Sequence, residues 1–361
     1  MKHPFKIMTF TLAALVMLAY ATHGYANSKD VPSHVTVSLP AGEIVDIQID
    51  NFENPNKNGG NKTLLAVHGL AHTGATFKPL ANELFDKTGS DKIGRVLALN
   101  FPGRRESGLP LNLQFGDLTV EDYTAVLLGV LDQLPKQINI ESIVGHSMGG
   151  LIIQTAQNSL RSSGTSLQKE YGIKNVYLLA PSIPKPLDWS FADSVDDDDS
   201  VIAAILSILI SSDPILGDYL QLLSSGPNDR VDRLGIWLSI FFTNSSGQFF
   251  GTPFENALEL EYVSNEALIM TLQLLGSDGF ERPLVNSGIF NKSVQKCFRI
   301  VAFSEDLGAP GEILQEYQKL GTFLTGNAPS ANVVFIDALD AVHDMFIVNP
   351  REVAKAITSC H

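Results

Sequence analysis

The sequence predicts an α/β protein: a mostly parallel central sheet with helices on both faces, plus an inserted helical cap. Three observations predict it. Short, continuously apolar runs rich in β-branched residues alternate with helix-period segments over most of the chain. Strands that are apolar on both faces and joined by crossover helices belong to a parallel sheet covered on both sides. One long interval, residues 185–295, lacks this rhythm and carries helix-period apolar patterns instead.

Taken in order, residues 1–26 read as an export signal. Lys2 and Lys6 give a positive start, residues 7–19 are apolar, and Gly24-Tyr25-Ala26 offers small residues for cleavage before Asn27. The apolar run is short beside the roughly 20 residues of a spanning helix, and no cysteine follows it to carry a lipid. Export to the periplasm or the exterior is expected, the alternative being an uncleaved N-terminal anchor. No later apolar run is long enough to span, so no stable membrane insertion is expected after cleavage.

Residues 34–39 and 44–49 alternate apolar and polar side chains around Pro40-Ala41-Gly42, the pattern of an antiparallel hairpin at the sheet edge. Strands are then expected at 63–68, 95–100, 140–146, 175–180, 297–303 and 331–336. Helices are expected at 77–87, 120–134, 151–162, 311–324 and 343–359. The core is therefore 27–184 with 296–361, and the cap is 185–295. The cap holds both tryptophans, Trp189 and Trp237. Its acidic run, Asp196 to Asp199, precedes a helical pattern and reads as helix capping. A calcium loop would need interleaved ligands.

The formal charge of −14 over 361 residues argues against a nucleic-acid partner. The chain has two cysteines, Cys297 and Cys360. An even pair in an exported protein suggests a disulfide, with two buried thiols as the alternative.

The chemistry concentrates in Gly145-His146-Ser147-Met148-Gly149-Gly150, between a β-branched run and a helix-period run. Strand, sharp turn and helix with a serine at the apex push that serine into a strained, positive-φ conformation and expose its hydroxyl. A serine becomes a nucleophile only beside a base, which in turn needs an orienting group. After the first long strand comes His68-Gly69-Leu70. A tight turn there aims the backbone N–H of Leu70 at the serine, and the N–H of Met148 supplies a second donor. One such oxyanion donor is worth about 3–4 kcal/mol.

The base is sought among eight histidines. His3 and His23 lie in the leader, His34 on the first strand and His361 at the end of the chain. His68 and His146 are built into the two turns, and His72 stands just past the first. His343 follows the last strand and opens the last helix, at the sheet edge where the serine sits. The orienting acid should follow the strand at 297–303. Asp306 is preferred, with its neighbour Glu305 as the alternative.

These residues resemble the α/β-hydrolase fold superfamily, in particular serine esterases and lipases with a helical cap. The resemblance covers about residues 35–359. It rests on Gly145-His146-Ser147-Met148-Gly149, His68-Gly69, the loop Asp306-Leu307-Gly308-Ala309-Pro310, and His343 followed by Asn349-Pro350. Many members carry Asp-x-Pro-Gly-x-Gly-x-Ser, where this chain has Asn100-Phe101-Pro102-Gly103-Arg104-Arg105-Glu106-Ser107. Haloalkane dehalogenases and epoxide hydrolases of this fold have an aspartate at the apex, so Ser147 separates the chain from them.

The resemblance implies a cofactor-independent, metal-free serine hydrolase acting on carboxylic esters with an apolar part. Ser147, His343 and Asp306 would form the triad, and Leu70 and Met148 the oxyanion site. Amidases or peptidases, lactonases, carbon–carbon bond hydrolases and acyltransferases share that machinery, and a non-catalytic binding protein is the alternative of another class. The fold also implies that the last helix runs back beneath the sheet, bringing Cys360 near Cys297. A disulfide closing a loop of about 60 residues is worth roughly 4 kcal/mol in the chain-entropy account.

Overall fold

The computed structural model describes residues 31–55, 62–70, 72–86, 93–110, 118–181, 287–303, 313–326, 333–336 and 343–359. Pro32–His361 forms one compact unit, to which all the elements below belong. The expected signal peptide lies outside the described residues, as do Trp189, Trp237 and residues 185–286 of the expected cap.

Eight strands form one sheet: β1 His34–Ser38, β2 Ile44–Glu53, β3 Lys62–Val67, β4 Ile93–Leu99, β5 Ile140–His146, β6 Asn175–Leu179, β7 Cys297–Phe303 and β8 Val333–Ile336. Their order is β1-β2-β4-β3-β5-β6-β7-β8. β2 runs antiparallel to β1 and to β4, and all other neighbours are parallel. The expected hairpin edge is present. In β1, Val35 and Val37 are buried and alternate with less buried neighbours, as one-sided coverage requires. In β5 and β6 every residue is buried, as coverage of both faces requires.

The strand order reverses at β3. The chain passes from β3 to β4 on one side and then returns to place β5 on the other. In open α/β sheets this is where a crevice opens beyond the carboxyl ends of the strands. The residues just past β3 and β5 are His68-Gly69-Leu70 and Ser147.

The helices are α1 Lys78–Phe85, α2 Val120–Gln133, α3 Met148–Ser162, α4 Leu167–Tyr171, α5 Ile313–Thr325, α6 Met345–Val348 and α7 Pro350–Thr358. One face of the sheet packs Leu64, Ala66, Val96, Ala98 and Val144 against Phe77, Leu80 and Leu84 around α1 and against Phe346, Val353 and Ile357 of α6 and α7. α2 packs on α3 and β1. α2 starts cleanly because Thr119 and Asp122 form a capping box: the Asp122 N–H donates to Thr119 Oγ1 (3.3 Å) and the Thr119 N–H to Asp122 Oδ2 (2.7 Å).

Four helical elements differ most from the sequence expectation. The last helix is two, α6 and α7, broken at Asn349 (φ −123°, ψ 50°). Pro350 lacks an N–H and keeps its predecessor out of helical conformation. α3 begins at Met148 instead of Leu151, so Gly149 and Gly150 are helical. The single helical turn Gly74–Phe77 and the short α4 were not anticipated.

Residues 287–295, the end of the expected cap, pack on the core. Ile289 and Phe290 are buried. Gln157 Nε2 donates to the Ile289 carbonyl (2.7 Å), and Phe290 stacks on Phe298 at 4.8 Å. Cys297 is buried at the start of β7, and no cysteine among the described residues is free. Cys360 lies outside them, but its neighbour Ser359 is held against β7: Arg299 donates from Nη1 to Ser359 Oγ (2.7 Å) and from Nη2 to its carbonyl (3.0 Å). Among the described residues no helix is long and apolar enough to cross a membrane.

Candidate active site

Past the end of β5, Ser147 takes φ 50° and ψ −119°. For a non-glycine residue this costs about 1–3 kcal/mol and persists only where surroundings enforce it. The Ser147 N–H donates to the Leu179 carbonyl at the end of β6 (2.9 Å), while its own carbonyl accepts from Gly150 N–H (2.9 Å) as α3 begins. Gly149 lies so close to β3 that a Cβ there would collide with the Val67 and His68 carbonyls. The elbow is thereby wedged against the strand that carries the His68-Gly69 turn. Among the described residues the other non-glycine positive-φ positions are Arg105 and Ala180, past the ends of β4 and β6. Backbone strain thus gathers at one edge of the sheet.

Leu70 and Ser147 are brought together by these same turns. A Cβ on Gly69 would stand 3.1 Å from Ser147 Cβ and 3.0 Å from His146 Nδ1. Both peptide units flanking Leu70 are anchored. His68 Nδ1 donates to the Gly69 carbonyl (2.7 Å), and its Nε2 accepts from the Phe101 N–H (3.1 Å), which fixes the tautomer. Burial, then the nearby Arg104 cation, hold His68 well below the ordinary histidine range, so it is neutral. With the Gly69 carbonyl turned toward His68, the trans peptide directs the Leu70 N–H the opposite way. On the far side, the fully buried Arg104 donates from Nη2 to the Leu70 carbonyl (2.9 Å) and from Nη1 to the Pro102 carbonyl (2.9 Å). Met148 is the first residue of α3 and fully buried; its N–H is a first-turn amide at the positive end of the helix dipole.

His343 is half-buried, and its ring lies 4.7 Å from that of His146, the residue before Ser147. The Nε2–H of His146 donates to the His343 carbonyl (3.0 Å). Burial, then the proximity of His343 and His72, push His146 well below the ordinary range, so it is neutral with its proton on Nε2. The structure therefore joins the Ser147 elbow, the Leu70 turn and the His343 segment. Asp306 and the alternative Glu305 lie outside the described residues.

Three residues at this junction escaped sequence reasoning. Arg104 carried no signal beyond its place in a departed motif. His72 and Asp344 are 272 residues apart, and Nε2 of His72 donates to Oδ2 of Asp344 at 2.9 Å. Donor atoms of His72, His146 and Asp344 lie within 4.8 Å of one another and are buried; among the described residues this is the cluster that could hold a metal ion. No local pattern joins these residues, and only the topology brings them together.

The sequence pattern of the Alpha/beta hydrolase family matches residues 64–356. The chain belongs to the alpha/beta hydrolase family. No curated protein sequence matches it. Solved structures share the fold. A thermophilic esterase from Thermogutta terrifontis is 17% identical, with a TM-score of 0.55 over 91% of this chain and 97% of that one. A bromoperoxidase from Bacillus anthracis is 15% identical, with a TM-score of 0.56 over 91% and 99%. A bacterial membrane phospholipase A is 14% identical, with a TM-score of 0.54 over 99% and 98%. In this alpha/beta hydrolase, a strained serine, a helix N-terminus and an anchored turn form an arrangement suited to nucleophilic attack and oxyanion stabilisation.

Proposed function

We propose that the protein is an exported serine hydrolase that cleaves carboxylic esters through an acyl-enzyme. Ser147 is the nucleophile, His343 the base and Asp306 its orienting acid, with Glu305 as the alternative. His343 takes the proton of Ser147 Oγ as that oxygen attacks the ester carbonyl. The oxyanion receives hydrogen bonds from the N–H groups of Leu70 and Met148. His343 then protonates the departing alcohol, and a water activated by the same imidazole releases the acid. No cofactor takes part in these steps.

The observation that carries this reading is the positive-φ Ser147 at the β5–α3 turn. The esterase and phospholipase activities named for two proteins of this fold support the same class of chemistry. An apolar acyl group or alcohol fits the apolar composition of residues 185–295.

A chain-length series of p-nitrophenyl esters, run on the protein and on Ser147→Ala, tests the proposal. Hydrolysis is expected to fall by roughly 10⁴-fold or more on substitution. Equal rates for both proteins would remove Ser147 from the mechanism.

A further inference from the structure

We propose that His72 and Asp344 are positioning residues, which lock the backbone carrying His343 onto the Leu70 turn and the Ser147 elbow. The inference rests on the reading of Ser147 and His343 as nucleophile and base. Two consecutive residues, 343 and 344, are gripped by two imidazoles from two distant segments. His146, one residue before Ser147, donates to the His343 carbonyl at 3.0 Å. His72, two residues past Leu70, donates to the Asp344 carboxylate at 2.9 Å, and the other carboxylate oxygen lies 3.5 Å from His146 Nε2. All three parts of the proposed machinery thus meet at one carboxylate.

The conformation of Asp344 argues that this is its purpose. It occupies the N-cap position of α6, where an aspartate ordinarily accepts a hydrogen bond from a first-turn amide. Its side chain makes no such bond. The carboxylate instead faces the histidines, leaving the four-residue α6 without its local cap. His72, His146 and Asp344 are 1%, 0% and 0% exposed, so water does not compete and each polar contact is strengthened by the low local dielectric. Phe346 closes the cluster, its ring 4.7 Å from His146 and 6.0 Å from His72, and itself stacks on Phe77 at 4.6 Å. A base must stand within hydrogen-bond reach of the serine. A displacement of about 1 Å at such a site slows the reaction about 100-fold.

The test compares Asp344→Ala, Asp344→Asn, His72→Ala and the double alanine variant with the parent. Active sites are first counted by stoichiometric fluorophosphonate labelling, and kcat is then expressed per labelled serine. Asp344→Ala and His72→Ala are each expected to lower kcat per site about 10- to 100-fold with little change in KM. The double variant should be no slower than the slower single variant, because both changes break one contact. Asp344→Asn, which keeps an acceptor for His72, should recover most of the loss.

A merely structural role would reduce the labelled fraction and leave kcat per labelled site unchanged, and that result overturns the proposal. Asn as slow as Ala also overturns it, since charge would then matter more than position. One equivalent of a transition metal found in the purified protein by elemental analysis would overturn it as well, replacing the hydrogen-bonded clamp by a metal centre. Failure of the parent protein to label at all would refute the nucleophile reading instead, so the two failures are distinct.

Discussion

At Ser147 the chain accepts a conformation that costs about 1–3 kcal/mol, and its neighbours show what offsets it. Gly149 lies where no side chain fits, and the Leu179 carbonyl holds the Ser147 amide. His68 and His146 are equally committed, both buried and held neutral with fixed tautomers. This has a consequence for stability. At and above about pH 7 both imidazoles are neutral in the folded and the unfolded chain, so pH has no leverage through them. Below about pH 6.5 the unfolded chain takes up a proton at each, while the folded chain resists until much lower pH. Each histidine then lowers stability by about 1.4 kcal/mol per pH unit as the solution is acidified. Urea midpoints measured from pH 7.5 to 5.5 should fall on the acid side. A flat profile would contradict the assignment of both residues as buried and neutral.

Legibility at this scale followed chemistry that leaves a local trace. Ser147 announces itself because the elbow needs small neighbours between a strand and a helix. His343 was found by its place after the last strand, and Leu70 by its glycine. His72, Asp344 and Arg104 left no such trace. Their roles arise from contacts across as many as 272 residues, and a buried pair joined only by topology has no sequence period to betray it.

At the scale of elements, strands were the most readable. β5 and β7 match their expected bounds, and in β5 every residue is buried, as a strand covered on both faces requires. Helix ends were less readable where glycines entered a helix, as in α3, or a proline broke one, as between α6 and α7. The contact of Arg299 in β7 with Ser359 after α7 bears on the proposed Cys297–Cys360 disulfide, since it brings the residue before Cys360 against the strand that Cys297 opens. Thiol titration in guanidinium without reductant should find no free thiol, and reduction should lower stability by about 4 kcal/mol or less. Two titratable thiols in the unreduced protein would contradict the pairing.

At the scale of the whole molecule, the sheet order places the reversal at β3, so the turns after β3 and β5 share one crevice. The segment carrying His343 joins them through His146. Fold class, hairpin edge and crevice position were legible because they follow from strand spacing and burial alone. Substrate choice was not legible, because it would rest with residues 185–295, whose apolar helical patterns fit many acyl groups alike.

The most direct test of the central claim is intact-mass and peptide mapping after reaction with a fluorophosphonate at neutral pH. One covalent adduct on Ser147 is predicted, with none on Ser147→Ala. A folded protein that remains unlabelled, or carries its adduct on another residue, would contradict the assignment of Ser147 as the activated nucleophile.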